Sequence, residues 1–215
     1  MSRIEALVSD FGGVLTTPLV ESFAALQGDS DVDLQEVGMA MARLAEEDGA
    51  NPLFELETGR MTEHDFLGRL ARALSENLGR EIELHGFGER YFANLHANAE
   101  LIAYFRSLRE RGLRLALLTN NVREWEPLWR PKLPVDELFE LVVDSAFVGM
   151  RKPDPEIYEL TLERLSLPAD ACVFLDDIDV NVTAAEQLGM KGVHFRDTAQ
   201  AIAGVEALLG ERGAG

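Results

Sequence analysis

A chain of 215 residues, divided by roughly 150 residues per domain, gives about 1.4 domains, so one core fold carrying a sizeable insertion is expected. A hydrophobic fraction of 47% beside 27% charged residues excludes a disordered or fibrous chain. The net charge of −18, from 20 basic and 38 acidic side chains, repels nucleic-acid phosphates and anionic membrane faces, so neither is an expected partner.

Only three of the basic residues are lysines, Lys132, Lys152 and Lys191. A small phosphorylated molecule would be repelled as well unless a local cation reverses the field. Cys172 is the single cysteine, which fits a reducing compartment and leaves no cysteine-based zinc spacing. No apolar run is long enough to span a bilayer, and Glu5 and Asp10 interrupt any signal-peptide core, so a soluble cytoplasmic protein is the expectation.

In chain order, Ile4 to Val8 reads as a first strand. Residues 19–93 then break the rhythm with helical patterns and no convincing strand: Leu34 to Ala45, Glu63 to Leu74 with Phe66, Leu67, Leu70 and Leu74 at helical spacing, and a weaker one at Phe87 to Leu95. Thr62 followed by Asp65 resembles a capping box with Asp in the acidic position.

A helix is expected at Glu100 to Arg111, stopped by Gly112, and strands at Leu113 to Leu118 and Leu138 to Val143. Asp154 and Pro155 open a helix over Glu156 to Leu165. Then follow a strand at Ala171 to Leu175, a helix at Val180 to Leu188 stopped by Gly189, and a strand at Gly192 to Phe195. Nearly continuous hydrophobic strands alternating with helices predict an α/β fold, a doubly wound parallel sheet covered on both faces. Residues 1–18 and 94–215 would form that core, and residues 19–93 a helical lid over the carboxyl ends of the strands.

Ligands in such sheets bind beyond the strand carboxyl ends, so the residues delivered there matter most. The first strand ends in Asp10-Phe11-Gly12-Gly13, the second in Thr119-Asn120-Asn121, and the fourth in Asp176-Asp177 with Asn181 close behind. Lys152 precedes Pro153-Asp154-Pro155. Alone, a strand-terminal Asp is as often a turn cap, Thr and Asn are ordinary cap residues, and a Lys is usually just solvated. Gathered at one cleft, Asp10, Asp176 and Asp177 bring −3 and Lys152 +1, and the remaining −2 matches one divalent cation. Hard oxygen ligands without a His or Cys cluster favour Mg²⁺. A carboxylate nucleophile, hydroxyl and amide donors, a fixed ammonium and Mg²⁺ together suit phosphoryl transfer.

These residues resemble the four motifs of the haloacid dehalogenase-like (HAD) hydrolase superfamily, in order: Asp10 to Thr16, Leu118-Thr119-Asn120, Arg151-Lys152-Pro153, and Phe174-Leu175-Asp176-Asp177 followed by Asn181. The Phe-Leu-Asp-Asp run and Gly149 to Pro153 are most similar to the phosphatase domain of soluble epoxide hydrolases and to bacterial sugar-1-phosphate phosphatases. The resemblance implies a Rossmann-like core with a helical cap inserted after the first strand. It implies a phosphatase acting on a small phosphomonoester, with sugar phosphates among the candidates, as a monomer or homodimer.

Asp10 would be the nucleophile that becomes an aspartyl-phosphate. Thr119, Asn120 and Lys152 would hold the phosphoryl group. Asp10, the Gly12 carbonyl and Asp177 would bind Mg²⁺, with Asp176 a supporting partner and Asn181 orienting that loop. One departure is Gly12, which stands where most phosphatases of the family carry a second Asp as general acid. General acid–base help is worth about 10²–10⁴-fold in rate, so a slow enzyme, an easily expelled leaving group, or a water or cap residue standing in is expected.

Two alternatives are a catalytically weak or silent protein that binds a phosphorylated metabolite, and a 2-haloacid dehalogenase. Dehalogenases of the family carry Ser and Asn where this chain has Asp176 and Asp177, which disfavours the second. Trp125 and Trp129 are expected in core or hinge packing. Glu57 to Arg60 is a candidate for substrate contact or a plain helix end, and His64, His85, His96 and His194 have no assigned role.

Overall fold

The computed structural model describes residues 3–17, 32–84 and 86–210; residues 18–31, the first part of the expected lid, and His85 lie outside them. Five strands, β1 (Ala6–Ser9), β2 (Arg114–Thr119), β3 (Leu141–Asp144), β4 (Cys172–Asp176) and β5 (Lys191–His194), form one sheet in the order β3-β2-β1-β4-β5. Every neighbouring pair is parallel, with Ser9 opposite both Leu117 and Leu175.

The sheet is covered on both faces because its central strands β1, β2 and β4 carry consecutive apolar residues rather than alternate ones. Leu7, Leu115, Leu117, Val173 and Leu175 point to one side, against α5 (Ala99–Glu110) and α8 (Thr198–Gly210). Ala6, Val8, Ala116, Leu118 and Phe174 point to the other, against α6 (Pro155–Leu165) and α7 (Asp179–Gln187). Each buried Leu or Phe in these layers contributes about 1.5–3 kcal/mol relative to exposure.

Between β1 and α5 the described residues hold four helices: α1 (Leu34–Asp48), α2 (Pro52–Glu57), α3 (Glu63–Leu78) and α4 (Phe87–Ala93). Ala40 and Leu44 of α1, Leu56 of α2 and Phe66, Leu67, Leu70 and Leu74 of α3 build a separate apolar cluster. Asp33 and Glu36 close a reciprocal capping box at the start of α1, while Thr62 accepts the Asp65 N–H and donates its hydroxyl to the Asp65 carboxylate. Tyr91 and Phe92 of α4 instead join the cluster beneath the sheet. The segment leaves and returns side by side: Thr16 bridges Ala97, Thr17 N–H donates to the His96 carbonyl at 2.8 Å, and Asn98 N–H to the Leu15 carbonyl at 2.8 Å.

Some boundaries differ from the sequence expectation for local reasons. Leu138 is not in β3: Val135–Leu138 forms a helical turn after Pro134, whose carbonyl accepts the Leu138 N–H, and the strand begins at Leu141. α5 starts one residue early because Asn98 accepts the Leu101 N–H as its cap. α1 and α3 extend to Asp48 and Leu78, and β1 starts at Ala6 and extends to Ser9. No helix among the described residues is long and apolar enough to cross a membrane.

Candidate active site

Strand order reverses at β1 and β4, which are neighbours in the sheet although far apart in sequence. That reversal is where open parallel sheets bind ligands. Asp10 follows β1, and its N–H donates to the Leu175 carbonyl at 2.8 Å. Asp176 ends β4 and Asp177 follows it. One carboxylate oxygen from each of the three lies within 4.8 Å of the others.

Lys152 enters this cluster from the loop before α6 and is almost completely buried. Its Nζ donates to Asp10 Oδ1 at 2.6 Å and to Asp176 Oδ2 at 2.7 Å. Asp176 is further saturated by the Ile178 N–H at 2.8 Å and by Asn181 Nδ2 at 3.1 and 3.2 Å. The Asn120 side chain grips the Lys152 main chain in both directions, accepting its N–H at 2.8 Å and donating to its carbonyl at 2.9 Å. Thr119, the last residue of β2, is buried with its hydroxyl 3.4 Å from the Asn120 carbonyl.

Burial pushes the Asp10 carboxyl up to about 7; Lys152 opposes the shift and the charges of Asp176 and Asp177 reinforce it. Burial also raises Asp177, with Asp176 adding to the effect. Burial acts against the Lys152 ammonium, but Asp10 and Asp176 together overcome it and hold the group above its ordinary range.

With all three carboxyls ionised the cluster carries two more negative charges than positive ones, and Asp177 Oδ1 is buried with no hydrogen-bond partner among the described residues. An orphaned carboxylate oxygen beside excess negative charge is a donor set suited to a hard divalent cation. Gly13 makes room for the Asp177 carboxylate: its φ of +79° lies in the left-handed region, and a Cβ there would sit 2.2 Å from Asp177 Oδ2. Gly12 offers no side chain at the second position after Asp10.

Other groups nearby carry no local signal in the sequence. The His194 ring lies 3.0 Å from the Asp177 carbonyl through Nε2 and 3.6 Å from Asp179 through Nδ1. Asp144 ends β3 and caps the following turn through the Ala146 N–H, and burial pushes its carboxyl up to about 7. Ser145 accepts the Asn121 N–H at 3.0 Å and donates to the Glu57 carbonyl.

Glu57 to Arg60 lies against the sheet side of the molecule. Glu57 pairs with Arg151 at 2.8 Å, and a Cβ at Gly59 would sit 2.3 Å from the Ala146 carbonyl. Trp125 occupies the seam, donating to Glu63 at 2.8 Å and stacking on Phe87 and Tyr91. Trp129 is fully buried, 5.2 Å from the Phe11 ring, with no partner for its indole N–H among the described residues.

A family model described as haloacid dehalogenase-like hydrolase matches residues 4–189. The chain is 28% identical over 223 residues to the sesquiterpene phosphatase AstK of Aspergillus oryzae, covering 97% of this chain and 98% of that protein. It is 26% identical over 147 residues to bifunctional epoxide hydrolase 2 of Rattus norvegicus, covering 65% of this chain but only 26% of that longer protein. A HAD family enzyme of Bacteroides thetaiotaomicron, solved with magnesium and inorganic phosphate, superposes with a TM-score of 0.62 at 20% identity over 90% of this chain and 94% of its own, a likeness of fold. With its family motifs assembled at the switch point of the sheet, the chain belongs to the haloacid dehalogenase-like hydrolases.

Proposed function

We propose that this hydrolase is a Mg²⁺-dependent phosphatase that removes the phosphoryl group from a small phosphomonoester by way of Asp10. The observation that carries the reading is the cluster of buried Asp10, Asp176 and Lys152 with half-buried Asp177, whose ionised charges sum to −2 and whose Asp177 Oδ1 has no partner among the described residues. The named phosphatase among its full-length relatives supports the reading, as does the magnesium and phosphate bound by a protein of the same fold.

Asp10 attacks phosphorus while the bond to the leaving oxygen breaks, giving an aspartyl-phosphate that water then hydrolyses. Lys152 fixes the Asp10 carboxylate through Oδ1 and presents positive charge to the phosphoryl group. Asp176 acts as the counter-ion that holds Lys152, and Asn181 holds Asp176. The Asn120 side chain is committed to the Lys152 main chain, so its part in holding phosphoryl oxygens falls to its own N–H, beside the Thr119 hydroxyl. Asp10, Asp177 and the Gly12 carbonyl would hold Mg²⁺, which when bound offsets the excess charge and polarises the phosphoryl oxygens. Residues 19–93, within which the helices from Leu34 onward lie, serve as the cap that closes over the substrate.

With Gly12 in place of an acid, leaving groups that need no proton are favoured. Hydrolysis of p-nitrophenyl phosphate and of a panel of sugar and alkyl phosphates, with and without Mg²⁺, tests the reading. The aryl ester should turn over fastest, chelation should stop the reaction, and Asp10→Asn should lose at least about 10³-fold in rate. A wild-type protein no faster than Asp10→Asn on every ester would end the proposal.

A further inference from the structure

We propose that Glu57, on the helical insertion, is a positioning residue that ties the seating of the insertion to the placement of the Lys152 ammonium. The inference rests on the phosphatase reading for its kinetic consequence and on geometry for its structural one. Glu57 reaches both loops that carry the phosphoryl-side groups, the Arg151-Lys152 loop directly and the Thr119–Asn121 loop through Ser145. Its carbonyl accepts the Ser145 hydroxyl, and the same Ser145 oxygen accepts the Asn121 N–H in the loop after β2. Its carboxylate takes Arg151 Nε at 2.8 Å, one residue before Lys152.

This pair differs from the other ion pairs of the insertion. The side chains of Arg151 and Glu57 are only 15% and 16% exposed, whereas Arg43 and Glu47 on α1 are 42% and 51% exposed. Arg151 also lies 3.9 Å above the Phe54 ring, so two groups of α2 grip one guanidinium. A partly desolvated pair of this kind holds its geometry, whereas an exposed one exchanges freely with water.

The Arg151-Lys152 dipeptide is thereby bracketed. On the sheet side the Asn120 amide holds the Lys152 main chain, and on the insertion side Glu57 and Phe54 hold Arg151. Lifting the insertion withdraws the carboxylate from Arg151 and the carbonyl from Ser145 together. The lysine loop and the Thr119–Asn121 loop then each lose a support in one movement, so the phosphoryl-binding groups are fully placed only when the insertion is seated.

Hydrogen exchange and steady-state kinetics on the full chain test this. In Glu57→Gln, amides in residues 52–59 and in 149–154 should exchange about tenfold faster. Its kcat on p-nitrophenyl phosphate should fall about tenfold with KM within about twofold. Glu57→Asp should recover part of the loss, and the charge-swapped Glu57→Arg/Arg151→Glu variant should recover more than the two single changes sum to. Unchanged exchange at 149–154 overturns the proposal even if the wild-type protein hydrolyses no ester. A raised KM with intact kcat, or strict additivity in the swap, overturns it as well.

Discussion

On the helical insertion, ion pairs stand in water: Arg43 with Glu47 and Glu76, Arg60 with Glu55, and Arg69 with Asp48 are all partly or largely exposed. At the carboxyl ends of β1 and β4, two carboxylates grip one ammonium and a third stands beside them, with Lys152 and Asp176 almost wholly out of solvent. Pairs of the first kind are worth about 0–1 kcal/mol each and are screened by salt. Charges of the second kind cost free energy to bury, and a fold keeps them with net excess only where a ligand or reaction uses the field they create. The insertion thus uses charge to stay hydrated, while the sheet ends concentrate it.

The sharpest way to break this contrast is to remove the ammonium. Lys152→Met leaves the three carboxylates uncompensated and should cost about 3–5 kcal/mol of stability in urea melts near neutral pH. The loss should shrink at pH 5, because a carboxyl held above its unfolded value binds its proton in the folded state and stabilises the fold as pH falls. A cost equal at both pH values would show that Lys152 matters for packing rather than charge.

Asp144 probes the same contrast at the end of β3, two strands from β1. Burial raises its carboxyl to about 7, above the unfolded value near 4, so the folded state carries the extra proton and stability is lost as pH rises through that window. Asp144→Asn keeps an oxygen for the Ala146 N–H without the charge. It should match the wild type near pH 4 and exceed it by about 1 kcal/mol or more at pH 8, read from paired thermal melts. A gap that does not widen with pH would refute the burial argument. The smallest effect belongs to the insertion: Arg43→Ala should shift stability by less than about 0.5 kcal/mol and lose even that in high salt.

What could be read from the chain was whatever local pattern encodes. Continuous apolar runs marked the strands, and the strand-terminal placement of Asp10, Thr119 and Asp176-Asp177 let the parallel topology carry them to one end. Lys152 was found through its motif, and the structure places it between Asp10 and Asp176. Apolar Leu138 looked like strand because a short apolar run has no period to distinguish it from a helical turn. That the Asn120 side chain is spent on the Lys152 main chain, leaving the rest of that region for the phosphoryl group, is visible only in the tertiary contact. Glu57 stood out only as part of Glu57 to Arg60, a segment that could touch substrate or end a helix, and its pairing with Arg151 left no trace, nor did the roles of Ser145 and His194, since their partners are supplied by segments distant in sequence and no spacing rule connects them.

The bridge between Thr16 and Ala97 has a consequence of its own. Because the outgoing and returning segments are hydrogen-bonded neighbours, the sheet meets the same junction whatever length of chain lies between them, and closure entropy changes only slowly with that length. The fold is in this sense a socket: the chemistry stays at the sheet, while the part that decides what reaches it can be lengthened, trimmed or exchanged without asking the strands to re-pair.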